Sequence, residues 1–100
     1  MTAIIRGTTP TFKITFNIVD PADITVAVLT VLGSKISIEK NLSDAVVGED
    51  YIAWTLTQAD SLSFGDTIGV MVNWKLQDGT RGATPEKVYT IKPNHKEIEI

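Results

Sequence analysis

The chain predicts an all-β sandwich, and three observations carry that prediction. Apolar residues recur with period two almost everywhere along the 100 residues. Seven or eight such segments follow one another at spacings near ten residues, separated by Gly, Pro, Asp and Asn. No segment has the length and 3.6-residue periodicity of a substantial helix.

The elements follow in order. Ala3 to Arg6 makes a short first strand. In TFKITFNIV, Phe12, Ile14, Phe16 and Ile18 fall on one face and Lys13, Thr15 and Asn17 on the other, as in a half-buried strand. Asp20-Pro21 ends it, because proline has no N–H to give a ladder. DITVAVLTVLG is rich in β-branched residues and reads as a central strand buried on both faces. KISIEK alternates again, with Ile36 and Ile38 inward. Leu42 to Glu49 is irregular. YIAWTLT then sets Ile52, Trp54 and Leu56 together.

TQADSLSF, capped at Thr57 or Ser61, is long enough for one helical turn that crosses between two sheets, with Leu62 and Phe64 in the core. In DTIGVMVNWKL, Ile68, Val70, Val72, Trp74 and Leu76 share a face. Asp78-Gly79 is the strongest hairpin signal, with Arg81 at the tip and KVYTIK returning to Pro93. The tail HKEIEI alternates once more, with Ile98 and Ile100 on one side. The count favours an immunoglobulin-like β-sandwich of about seven to eight antiparallel strands, with a small β-barrel as the alternative. One domain over residues 1–100 is expected, with 94–100 as a candidate C-terminal arm.

Composition narrows the function. An apolar share of 43% supports a core, and a net charge of −3 is mild. The nine basic residues form no run, so no nucleic-acid partner is expected. With no cysteine, disulfides, thiolate zinc sites and cysteine catalysis are excluded. The apolar run Val26 to Leu32 is too short to span a bilayer, and no membrane partner is expected. MTAIIRGTTP lacks a signal core, which suggests a chain made and folded in the cytoplasm.

Chemistry-bearing patterns are sparse. His95, the one histidine, stands in the polar tail with only Glu97 and Glu99 near it in sequence. Asp20, Asp23, Asp44, Glu49, Asp50, Asp60, Asp66 and Asp78 sit in loops, where carboxylates gather calcium or, more commonly, bond their own backbone. They lack the spacing of a calcium loop. No cofactor, no metal and no enzymatic activity are expected. Trp54 and Trp74 fall in phase with core positions. Tyr51 and Tyr89 fall out of phase with theirs, which makes them candidates for surface contact. Together with Arg81, Ile98 and Ile100 they form the candidate interface set.

The layout IIRGTTPTFKITF, IEKNLSDA, WTLTQADSLSF and VNWKLQDGTRGAT resembles small single-domain structural or accessory proteins of tailed bacteriophages and prophages of Gram-positive bacteria. It is similar, more loosely, to the immunoglobulin-like N-terminal domain of phage baseplate upper proteins, without their fibrous extension. The resemblance covers nearly the whole chain. It implies a virion protein of capsid or tail, with other virion proteins or further copies of itself as partners. The alternative expectation is a virion-displayed module that binds a host-surface protein or carbohydrate.

Overall fold

The computed structural model describes residues 3–34 and 36–93. The fold is all-β, with two packed sheets. The larger sheet has the order β1 (Ala3–Ile5), β9 (Lys87–Lys92), β7 (Thr67–Leu76), β3 (Ile24–Leu32) and β4 (Ser37–Asn41), and β8 (Arg81–Ala83) also pairs with β7. The smaller sheet has the order β2 (Thr11–Thr15), β6 (Tyr51–Thr55) and β5 (Val46–Val47). Neighbours pair antiparallel with one exception: β1 runs parallel to β9. The expectation of a wholly antiparallel sandwich is corrected there. A three-residue strand carries too little pattern to reveal its direction.

The core lies between the sheets. Phe12, Ile52, Trp54 and Leu56 meet Ala27, Leu29, Val31, Ile68 and Val72. Two edge-on ring pairs cross the gap, Phe12 with Tyr89 at 5.3 Å and Phe16 with Trp74 at 5.2 Å. Trp54 is 1% exposed and still satisfied, because its indole N–H donates to the Asn41 carbonyl at 3.0 Å.

β3 is central by hydrogen bonding but is not buried on both faces. Ala27, Leu29 and Val31 point into the core, whereas Val26 and Leu32 are exposed on the other side. A register shift between Ile24 and Val26 brings Ile24 onto the core face with Ala27, three positions on, which strict alternation forbids. Ile18 is the other correction. β2 ends at Thr15, the chain bends, and Ile18 is left 97% exposed.

Asp20 caps a single 3-10 turn, Pro21–Asp23, by accepting from the Ala22 N–H at 3.0 Å. Between the sheets, α1 (Gln58–Leu62) is one capped turn. The Thr57 hydroxyl accepts from the Asp60 N–H and the Asp60 carboxylate accepts from the Thr57 N–H, each at 3.1 Å. Phe64 enters the core as expected. Leu62 is only half-buried, and the residue wholly enclosed is Ser61, whose hydroxyl donates to the Thr8 carbonyl at 2.6 Å.

Leu76 and Thr80 close the reversal after β7 around three residues, Gln77, Asp78 and Gly79. Gly79 N–H donates to the Leu76 carbonyl at 3.0 Å and Leu76 N–H to the Thr80 carbonyl at 2.8 Å. Of the three, Gly79 alone has positive φ, +91°, so the reversal is a turn closed by a glycine bulge rather than a two-residue primed turn.

Candidate functional site

A groove runs along one side of the sandwich, between the edge of β2 and the place where the strand returning beside β7 is broken. Its volume is about 460 Å³. Phe12, Ile14, Val70, Val72 and Tyr89 supply its apolar surface. Lys13 and Lys87 stand exposed at its margin.

The break is a bulge. Asn73 pairs with Ala83 and Val70 with Lys87, so Thr84, Pro85 and Glu86 stand against only Met71 and Val72. Pro85 has no N–H for a ladder, and the extra residue is shed at that point. Thr84 holds the site together. Its N–H donates to the Val72 carbonyl at 2.9 Å, and its hydroxyl accepts from the Val72 N–H at 3.0 Å. Glu86 lays its carboxylate over Gly69, on the face of β7 opposite Ile68 and Val70.

The other wall is an unpaired strand edge. Among the described residues, β2 bonds to β6 alone. Leu56 N–H donates to the Pro10 carbonyl and Phe16 N–H to the Asp50 carbonyl, which fixes the alternation. Phe12 and Ile14 therefore face β6 with their backbone groups, and Thr11, Lys13 and Thr15 direct theirs to the open side. A row of such groups above an apolar trough is what an added strand needs.

The expected interface residues lie in different places. Tyr51 begins β6, half-buried, with its ring against Gly48 and the Lys13 ammonium 4.4 Å from the ring centre. Arg81 is exposed, but it opens β8 opposite Lys75 and is not at the loop tip. Tyr89 shares the inward face of β9 with Ile91, packs edge-on to Phe12, and has the Lys87 ammonium 5.3 Å from its ring centre. Its expected position out of phase with the core is corrected. The structure brings Tyr89 to the groove and does not bring Tyr51 or Arg81 there. His95, Ile98, Ile100 and the arm 94–100 lie outside the described residues. Sequence reasoning missed Lys13, Thr84 and Lys87; the signal for them was Pro85, inside what would otherwise be one long return strand.

Trp74 is only partly buried, and its indole covers Gly82 on the neighbouring strand, where no side chain would fit. The carboxylates of Asp20, Asp44, Asp60 and Asp78 each accept from a backbone N–H within three residues. Asp44 accepts from the Asn41 N–H at 3.0 Å and Asp78 from the Thr80 N–H at 2.8 Å, which holds the Asp78 carboxyl below its ordinary pKa. Among the described residues, no three His, Cys, Asp or Glu side chains gather as a metal site. No helix among them is long and apolar enough to cross a membrane.

Compared with known proteins, the chain matches no family model, no curated protein and no solved structure.

Proposed function

We propose that the chain is an immunoglobulin-like, non-enzymatic binding and assembly module that holds a strand of another polypeptide along β2. The observation that carries this reading is the unpaired β2 edge above the apolar groove. The one hydroxyl fixed at the bulge, that of Thr84, is engaged in the β7 ladder and serves the fold.

The immunoglobulin-like assignment is supported by connectivity. The order β2-β6-β5 follows the B, E and D strands of that fold, and β3, β7 and β9 follow C, F and G, with β4 added beside C. In this alignment, and among the described residues, β1 is a first strand that pairs with the last, and no strand lies beside β2 on its open edge.

The setting is proposed from the sequence layout: a structural or accessory protein of a tailed-phage particle, made in the host cytoplasm and carried on the virion. The test is cross-linking mass spectrometry of purified particles from a phage whose genome encodes the chain. The chain should be present, with cross-links from Lys13 or Lys87 to a virion protein or to another copy. Absence of the chain from the particles would refute the setting. Its presence with cross-links only from residues remote from the groove would refute the groove as the contact.

A further inference from the structure

We infer that the strand accepted by the groove is the segment Glu97–Ile100 of a second copy of this chain, added antiparallel to β2. The inference rests on the proposed use of the groove and names its occupant.

Three observations select that segment. The first is pattern. Glu-Ile-Glu-Ile alternates strictly, so a strand made of it presents both isoleucines to one side and both glutamates to the other. Beside β2, the isoleucines lie level with Phe12 and Ile14 on the groove side, and the glutamates lie level with Thr11, Lys13 and Thr15 on the outer side. The second is charge. Lys13 is central on the outer face of β2, and Lys87 stands at the groove margin. Glu86, the acidic residue of the bulge, has its carboxylate over Gly69 on the far face. Lys87 lies on the groove side with Tyr89, so it is Lys13 that offers a cation to the face of the strand that carries Glu97 and Glu99.

The third is direction, and it makes the donor a second copy. Phe12 meets Tyr89, whereas Phe16 meets Trp74, whose strand partner is Gly82. β2 thus runs counter to the path from β8 to β9. The chain leaves β9 at Lys92, level with the start of β2, with Arg6 N–H donating to the Lys92 carbonyl at 3.0 Å. A segment of the same copy that turned back after Pro93 would run parallel to β2, and the only residues for the reversal are Asn94, His95 and Lys96. A second copy is free to approach from the other end and pair antiparallel, the more stable ladder. Reciprocal donation between two copies closes the assembly.

The test uses the full chain in two measurements: molar mass by light scattering over a concentration series, and amide hydrogen exchange at Thr11, Lys13 and Thr15. The wild type should associate to a mass of two chains, with those amides slowing in exchange as the associated fraction rises. The double variant Ile98→Lys with Ile100→Lys should have the mass of one chain, fast exchange at the three amides and the Tm that the wild type has at dilutions where it is a single chain. Lys13→Glu should weaken association, and Glu97→Lys with Glu99→Lys in that background should restore it, a readout that misfolding does not give. Wild-type chain of single mass at every concentration would overturn the inference and leave the groove reading to the particle cross-links. Association with the three amides still exchanging fast would overturn both.

Discussion

Replacing Gly79 isolates the energy of one backbone angle. Its φ is +91°, and a Cβ built on it meets no atom within 4 Å. A larger side chain at this position therefore has room, and the cost comes from the backbone alone. An L-residue in this region costs roughly 1–2 kcal/mol, and valine stands at the upper end because its branch crowds the neighbouring peptide. For a chain of this length, melting entropy converts about 1 kcal/mol into about 5 °C, so Gly79→Val should lower Tm by roughly 5–10 °C. Gly79→Asn, whose short polar side chain tolerates positive φ, should lose less than half as much. Thermal unfolding followed by far-ultraviolet circular dichroism, with all three proteins at one concentration, makes the comparison. Equal melting temperatures for valine and glycine would show that the loop relaxes to negative φ without loss. The bonds Leu76 makes to Thr80 and Gly79 would then not hold the reversal in place.

Other residues make separate claims. Ser61→Ala removes the buried hydroxyl and leaves the Thr8 carbonyl without that donor; a loss of about 1–2 kcal/mol is expected by urea unfolding, and an unchanged midpoint would contradict it. Thr84→Val keeps the shape of the bulge residue but takes the acceptor from the Val72 N–H; it should cost about 1 kcal/mol and speed hydrogen exchange at Val72, while Thr84→Ser retains slow exchange. Partial burial raises the Asp60 carboxyl pKa, but the Thr57 N–H and hydroxyl and the Lys40 ammonium at 3.2 Å outweigh it and hold the group below its ordinary 3.8. A depressed folded pKa gives stability that is present above the unfolded value and lost as pH falls through the folded one, so Asp60→Asn should flatten the decline of Tm from about pH 5 downward. An unaltered acid limb would place the acid sensitivity elsewhere.

What was legible in the sequence was what alternation and short-range chemistry encode. Ile52, Trp54 and Leu56 fall inward together, as do Ile68, Val70 and Val72, because a strand buried on one side leaves a period of two in its composition. Asp20-Pro21, the Thr57 cap and Asp78-Gly79 were readable because each acts within four residues of itself. What alternation cannot express is a change of phase. The bulge beside Thr25 and the extra residue at Thr84–Glu86 each shift the pattern by one position. The reading of β3 as buried on both faces had another source, its density of β-branched residues, which does not tell the core side from the open side. Tyr89 keeps step with Ile91, but both faces of KVYTIK carry an apolar residue, Val88 on one and Ile91 on the other, so alternation alone does not say which face is inward. Ile18 failed for the opposite reason: its parity was right, but the strand had already ended. The groove depends on which strand lies at an edge, and that is fixed by pairings between residues dozens of positions apart.

The two edges of the smaller sheet differ in a way that bears on what docks there. β5 is a two-residue strand; although Val46 and Val47 are exposed, it offers too short a ladder for a partner to extend. β2 is five residues long and opens onto apolar side chains, which is the form of edge that invites unwanted association. Its middle residue is Lys13. If two β2 edges paired antiparallel about their centres, Lys13 would stand opposite Lys13, and like charges directly opposed destabilise such a pair. The same lysine favours a strand that carries carboxylates on its outer face. One side chain thus discourages edge-to-edge pairing of identical strands and leaves the groove available to an acidic, alternating one. Lys13→Thr should remove both effects at once. Its β2 edge should become less selective, with aggregation on concentration as the measured outcome, and a Lys13→Thr protein as soluble as the wild type would show that the groove is guarded by something other than charge.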